Sequence, residues 1–378
     1  TEIYTLSLHD ALPISSYNDP TGFWRIAPGR TANVVDFNLN HFYSNNVDFI
    51  LGDWYAGKEE AAMATYYSRN NGLGNYNELN TWSKIGFDGA VSNTLPNKRS
   101  DRVRIQHRVT VPIGYNPAPF NYLSIEASIP ENRYGILSFL NESAILDGNI
   151  FEVQNNSLGI EISHPDGIWD APVANGCVQT DQRIYSSNTK YKFIGGLAQV
   201  TGEGLPIPVK IVEVDKSSNS VVLSKVITIS DSLTIFSGTL DLGSHSINGS
   251  TSGKVLTMYG GELLTRSTFP TNYAPCTFTA GTVTFDGTGS SFIPSDDLAT
   301  PPVVLQYKNL KIASSSGSRT GNIIFENSGN IKISDVFDIS SIDFSGAGGD
   351  RFQAYGSTIW FNGNRSQNIP SRDRKSVV

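Results

Sequence analysis

Ile227-Thr-Ile-Ser-Asp-Ser-Leu-Thr-Ile-Phe-Ser-Gly-Thr-Leu-Asp-Leu242 is the stretch that decides the fold. Its apolar residues come in pairs two apart: Ile227/Ile229, Leu233/Ile235 and Leu240/Leu242. Residues two apart on a strand share a face. Each pair therefore reads as a very short strand with two inward side chains, and the Ser, Asp and Gly between pairs read as corners. Ile331/Ile333, Phe337/Ile339 and Ile342/Phe344 repeat the rhythm. Three such sides make a coil of roughly 20 residues, the scale of solenoid repeats. One coil cannot bury its own interior. Stacked coils share backbone hydrogen bonds and build an aliphatic column in which each buried Ile or Leu contributes about 1.5–3 kcal/mol. The expected fold is all-β, a parallel β-helix or β-solenoid. The alternative is a string of tandem Ig-like β-sandwiches, whose strands usually run about five or six residues.

A longer pattern sits above the short one. Phe193, Phe285 and Phe361 align, each with a glycine two residues later (Gly195, Gly287, Gly363). A short polar residue follows at Gln199, Ser291 and Gln367, and the last two copies close with Ile-Pro at Ile293 and Ile369. These six Phe and Gly positions are expected to be equivalent points of a loose structural repeat.

Outward from the deciding stretch, Asp101–Val111 places apolar residues at 103, 105, 109 and 111, with His107 in phase. It reads as one strand of period two. Lys58–Tyr67, with Glu59, Glu60, Ala61, Ala62 and Ala64, is the best helical candidate. Residues 15–95 are rich in Tyr, Trp and Asn and lack the short-pair rhythm. They read as a β-rich lead-in, the end of a preceding element, with the solenoid over 96–372. Pro270, Pro301-Pro302 and Gly346–Gly349 are candidate loops between coils.

The two ends read differently. Thr1–Ile14 and Asp373–Val378 resemble translated sequencing-adapter DNA, in opposite orientations. Both are set aside as artefacts before fold reasoning, and the chain is expected to be an internal fragment of a longer reading frame. The whole sequence carries 28 basic and 35 acidic residues, a net charge of −7, and only 17% charged residues against 35 glycines. A mildly acidic chain without a basic block argues against a nucleic-acid partner. No stretch approaches the roughly 18–20 apolar residues of a membrane helix. Low charge with abundant Gly, Ser, Thr and Asn suits a β-rich extracellular protein with many tight turns.

Catalytic and metal-binding patterns are sparse. The acid doublets Glu59-Glu60 and Asp296-Asp297 point to opposite sides of any strand and read as solvated loop acids. Oxygen coordination of Ca²⁺ at Asp296-Asp297 would need an EF-hand or nonapeptide spacing, which is absent. His41, His107, His164 and His245 have no partner at metal or nucleophile-elbow spacing. Cys177 and Cys276 read as isolated small hydrophobes, with a single disulfide as the alternative. Ser345–Asp350 lacks the helix and Lys-Ser/Thr pair of a phosphate cradle. Of Trp24, Trp54, Trp82, Trp169 and Trp360, the second-to-last is the least committed to a core, while Trp82 and Trp360 read as core residues. No cofactor, catalytic residue or metal site is expected, and no ligand-binding residue can be named.

Tyr66-Tyr-Ser-Arg-Asn-Asn-Gly72, Asn80-Thr-Trp-Ser83, Pro96, Asp101-x-Val-x-Ile105 and Val109-Thr-Val111 form an ordered series. It resembles the opening of repetitive β-rich surface proteins, adhesin-like, of bacteria that use type IX secretion. Ser163-His-Pro-Asp-Gly-Ile168, Leu197–Gly202, Gly238–Gly243 and Phe278–Phe285 resemble their later strand repeats. The resemblance implies an extracellular or outer-surface location and a non-enzymatic scaffold or adhesin-like role, with surface glycans or other cell-surface proteins as partners. A carbohydrate-active or glycan-binding parallel β-helix is the alternative, by analogy of fold. Clustered acids and bases on one solenoid face would favour that alternative, and a smooth Thr/Ser/Asn face would favour the scaffold.

Overall fold

The computed structural model of the chain describes residues 63–70, 74–266, 268–296, 305–314, 319–340, 342, 352–354 and 356–364, with the strands Ile14–Ser15 and Arg25–Ile26. The chain divides into two units, Thr1–Ala62 and Met63–Val378. In the first, Ile14–Ser15 pairs antiparallel with Arg25–Ile26. Residues 1–13 and 373–378, Glu59-Glu60, His41, Trp24, Trp54, Asp297, Pro301-Pro302, Gly346–Gly349 and Gln367 lie outside the described residues.

The second unit is a stack of coils joined by parallel strands. One long sheet runs through Arg108–Val111, Ile136–Phe139, Gly159–Ile162, Lys190–Gly195, Val209–Val222 and Ile227–Asp241, each parallel to the next. It continues through Glu262–Thr265, Thr282–Asp286, Gln306–Ala313 and Asn330–Asp338 to Thr358–Phe361. A second sheet stacks Thr65–Ser68, Arg102–Ile105, Phe120–Ile125, Gly148–Val153 and Gln182–Tyr185. A third stacks Ser291–Ile293, Ile323–Phe325 and Phe352–Ala354. Parallel pairing between successive coils rules out the tandem-sandwich alternative, whose sheets are antiparallel.

The register explains the paired apolar residues. Val109, Leu137, Ile160, Tyr191, Val212, Leu233, Leu256 and Cys276 lie partner to partner down one inward column. All eight are buried. Successive members are 20 residues apart at the closest (Leu256 to Cys276) and 31 at the widest (Ile160 to Tyr191). The coils thus share one inner geometry, and length differences are absorbed in the loops.

The corners differ from expectation. Ile227–Asp241 is one continuous strand of 15 residues, and Ile227/Ile229, Leu233/Ile235 and Leu240 face three separate neighbours, Ile247–Gly249, Lys254–Met258 and Glu262–Thr265. Bulges do the bending: the pairing with Val209–Val222 slips between Val214 and Asp215 and again before Ser220. A bulge bends a strand while most of its ladder survives. Gly238 takes a φ of 75° at the second bend, which a side chain would resist.

Asp101–Val111 is two strands rather than one. Arg102–Ile105 belongs to the second sheet and Arg108–Val111 to the long sheet, with a corner at Gln106-His107. The Ser68 hydroxyl accepts the backbone N–H of Gln106 (2.9 Å) and of His107 (3.1 Å), replacing ladder bonds lost at the turn. His107 therefore leaves the inward row that Val103, Ile105, Val109 and Val111 occupy.

Three further expectations change. Among the described residues the stack already includes Thr65–Ser68, inside the segment read as lead-in, because that strand pairs parallel with Arg102–Ile105. The same strand takes the last three residues of the expected helix, whose first five, 58–62, lie outside the described residues: Thr65, Tyr66 and Tyr67 are strand formers, and Tyr66 is buried in the core. Trp360 is 50% exposed, because Ile359 and Phe361 on either side hold the inward positions. Trp82 is fully buried and donates its indole N–H to the Tyr76 carbonyl at 2.9 Å.

The aligned phenylalanines are not all equivalent. Phe193 pairs down its column with Val214, Ile235, Met258 and Phe278. Phe285 pairs with Thr265 and Ile312, on the far side of the Gly281 corner from Phe278. The counterpart of Phe193 in that coil is Phe278. Phe361 pairs with Ile333, and Ile333 with Tyr307, whose ring lies 6.0 Å from Phe278. Phe361 thus stands on the Phe193 side of the corner. Phe-x-Gly recurs because more than one side of a coil can end in an inward aromatic before a turn. Gly195 has a φ of 92°, whereas a Cβ on Gly287 would stand 2.3 Å from the Arg266 carbonyl oxygen. These are different local reasons for glycine at aligned positions. Gly363 lies just beyond the last strand, Thr358–Phe361.

Candidate binding face

Charged side chains concentrate outside the first coils, where the second sheet meets the long sheet. Period two puts Tyr67, Arg104, Ser124 and Glu152 in one outward row and Thr65, Arg102, Tyr122 and Ile150 in the next. Glu126, buried just past the strand end, receives a bidentate pair from Arg104 at 2.8 Å for each bond. The Ser124 hydroxyl and the Gln106 amide also donate to it. The Gln106 side-chain oxygen Oε1 accepts from Arg133 Nε at 3.0 Å, and Arg133 reaches Asp88 at 3.2 Å. Phe87 lies under both guanidiniums, 5.5 Å from Arg104 and 5.2 Å from Arg133. The result is a continuous polar strip with an aromatic base.

Ser68, His107 and Asp88 meet at its end in an arrangement that superficially resembles a nucleophilic triad. Ser68 Oγ lies 3.0 Å from His107 Nδ1, and His107 Nε2 lies 3.3 Å from Asp88. Two facts assign it a structural role. Ser68 is fully buried, and its oxygen already accepts two backbone N–H groups. His107 Nδ1 also lies 3.0 Å from the Ser68 carbonyl, which can only accept a hydrogen bond. With Nδ1–H donated there, the ring cannot act as base toward Ser68 Oγ.

Burial lowers the His107 pKa despite the opposing effect of Asp88, and burial likewise lowers that of His164. Both groups therefore bind fewer protons folded than unfolded in the interval below the ordinary histidine value of about 6.5. Stability is fully present above that interval and is lost as pH falls through it. The unfolding midpoint should hold steady from pH 8 to 7 and drop between pH 6.5 and 5. An unchanged midpoint across that range would show that neither ring is held neutral by the fold.

The carboxylates are lowered too, but by basic and hydrogen-bonding neighbours rather than by burial. Burial raises the Glu161 pKa, but Arg108 and Ser138 outweigh it and hold the group below its usual range. Lys192 holds Asp215 low, at 2.7 Å. Burial opposes the shift at Asp296, where Lys332 and the Asn330 amide prevail. Asp296 is thus bonded to Lys332 at 2.6 Å and is not a free loop acid.

The remaining candidates are separated. His164 accepts the Asp166 N–H, and Trp169 donates to the Asp166 carbonyl at 2.7 Å within the same turn. His245 follows the Asp241-Leu242 corner, with its N–H on the Leu242 carbonyl. Cys177 and Cys276 are buried free thiols, each pushed up to about 12 by burial. Gln199 and Ser291, aligned in the sequence, are both buried beside an internal cation. Gln199 accepts from Lys216 Nζ at 3.2 Å and Ser291 from Arg319 at 2.8 Å. Among the described residues, no group of three or more His, Cys, Asp and Glu could hold a metal ion.

Further along, threonine takes over one outward row. One outward row of the long sheet reads Thr110, Ser138, Glu161, Lys192, Glu213, Thr234, Thr257, Thr277. Both discriminating features are therefore present, in different places: acids and bases in the early coils and a threonine row further along. Sequence reasoning missed the polar strip because its members come from separate coils and one loop. No protein-family model, curated protein or solved structure matches this chain.

Proposed function

We propose that the chain is a non-enzymatic scaffold segment of a larger extracellular or cell-surface protein, adhesin-like, which presents its solenoid faces to surface glycans or to other surface proteins. The supporting observation is the state of the outward acids. Acids of the polar strip and of the long sheet are tied to bases: Glu126 to Arg104, Asp88 to Arg133, Glu161 to Arg108 and Asp215 to Lys192. A general acid for glycoside cleavage needs its pKa raised toward the working pH. Ion pairs linking successive coils, such as Lys190–Glu213 and Lys192–Asp215, fix neighbouring strands together. The extracellular placement rests on the composition and on the resemblance of the Tyr66–Val111 motifs. Among the described residues, no helix is long and apolar enough to cross a membrane.

The test is turnover. Incubation with a panel of neutral and acidic polysaccharides should release neither reducing ends nor the ultraviolet absorbance of unsaturated uronates, the product of β-elimination. Sustained release from any polymer, abolished by Glu126→Gln or Asp88→Asn, would replace this reading with the carbohydrate-active one.

A further inference from the structure

In the cleft beside the polar strip, some polar side chains have no partner among the described residues. The cleft encloses about 320 Å³, and its walls include Thr65, Arg102, Tyr122 and Gln154. That is the lower end of the size range for small-ligand sites. Arg104 and Glu126 form its floor and are bound to each other. Tyr122 donates its hydroxyl to Glu152.

Arg102 is exposed, and its guanidinium rests 5.6 Å from the Tyr122 ring centroid. Among the described residues no carboxylate lies within ion-pair distance of it, although Arg104, Arg108, Arg133 and Arg266 all have one. The guanidinium over the ring keeps N–H groups available to a ligand. A guanidinium edge matches a carboxylate with two parallel hydrogen bonds. The Thr65 hydroxyl and the Gln154 side-chain amide line the same cleft and make no hydrogen bond among the described residues.

We infer that this cleft is a subsite for an acidic saccharide, with Arg102 taking the carboxylate of a uronate and Thr65 and Gln154 taking ring hydroxyls. Three uncommitted polar groups, one of them cationic, call for a ligand dense in hydroxyls that carries one negative charge. A hydrophobic ligand would displace water from these groups without replacing its hydrogen bonds. The open outer face lets a polymer run on past the cleft. This site goes beyond the scaffold reading, which is judged by turnover and survives without it.

The experiment is calorimetric titration of the full chain at low salt with short oligomers of galacturonate, mannuronate and hyaluronate. The methyl ester of each serves as the uncharged control. At least one free acid should bind, and its ester should bind roughly 10- to 100-fold more weakly, the range for a hydrogen bond to a charged group. Arg102→Ala should lower the affinity of the acid to that of the ester while leaving the unfolding midpoint unchanged, since the side chain is exposed. Arg102→Lys should recover part of the loss. No binding by any acid at millimolar concentration, equal binding of acid and ester, or full affinity in Arg102→Ala would each overturn the assignment.

Discussion

Phe193→Ala should lower the stability of the second unit by about 3–5 kcal/mol, the usual cost of truncating a fully buried aromatic. Phe193 has no exposed surface, and its column partners are Ile162 on one side and Val214 on the other. Deleting the ring opens a void between coils whose backbones are held at strand spacing by ladders on both sides, so collapse around the gap is limited. A stack of repeats takes its stability from nearest-neighbour interfaces, and here one substitution weakens two of them. Urea unfolding monitored by circular dichroism would measure the loss. Trp360→Ala is the control: the larger side chain is half exposed, with Lys332 over its ring at 5.6 Å, and its removal should cost no more than about 1 kcal/mol. Equal losses at the two sites would mean that side-chain size, rather than position in the column, governs the stack.

The contrast between these aromatics marks the limit of what the sequence discloses. Period two within a strand was legible, and Ile227 through Leu242 was sufficient to assign the coil and its three sides. The column that receives each side chain was not legible. Phe193 and Phe285 share a local pattern but stand on opposite sides of a corner, and only the register with Val214 and Ile312 separates them. Phase across a bend was also hidden. His107 keeps an even count from Val103, yet Ser68 captures the Gln106 and His107 amides from another coil and turns the chain there. Trp360 shows the opposite error: the aromatic belongs to a strand, but to its outward row. The polar strip is the extreme case. Glu126, Gln106, Arg133 and Asp88 are brought together by coil stacking and by the loop that carries Phe87 and Asp88, so no spacing rule applied to one segment could have joined them. Gln199 and Ser291 form an intermediate case, since alignment found both but could not show that each accepts from a buried cation.

Gly159→Ala should cost roughly as much as the loss of a core side chain, although it adds only a methyl group. Gly159 opens the strand Gly159–Ile162 with a φ of +82°, a left-handed conformation that an L side chain resists at about 1–3 kcal/mol. A Cβ placed there would stand 1.8 Å from the backbone oxygen of Lys190, in the next coil. That oxygen belongs to the strand Lys190–Gly195, which pairs with Gly159–Ile162 from Ile160↔Tyr191 through Ile162↔Phe193. It cannot move aside as a side-chain tip could. Relieving the clash requires the two coils to separate at their first rung, and overpacking of this kind typically costs about 1–3 kcal/mol more. The strain should be transmitted along the ladder, so amide exchange should accelerate on both strands, from Ile160 to Ile162 and from Tyr191 to Phe193. Gly253→Ala separates the two contributions, because Gly253 has a φ of +87° but no atom within 4 Å of its added Cβ. It should show the conformational cost alone, with no change in exchange at the neighbouring coil. If Gly159→Ala is no more destabilising than Gly253→Ala, the close approach of Lys190 does not set the spacing of these coils.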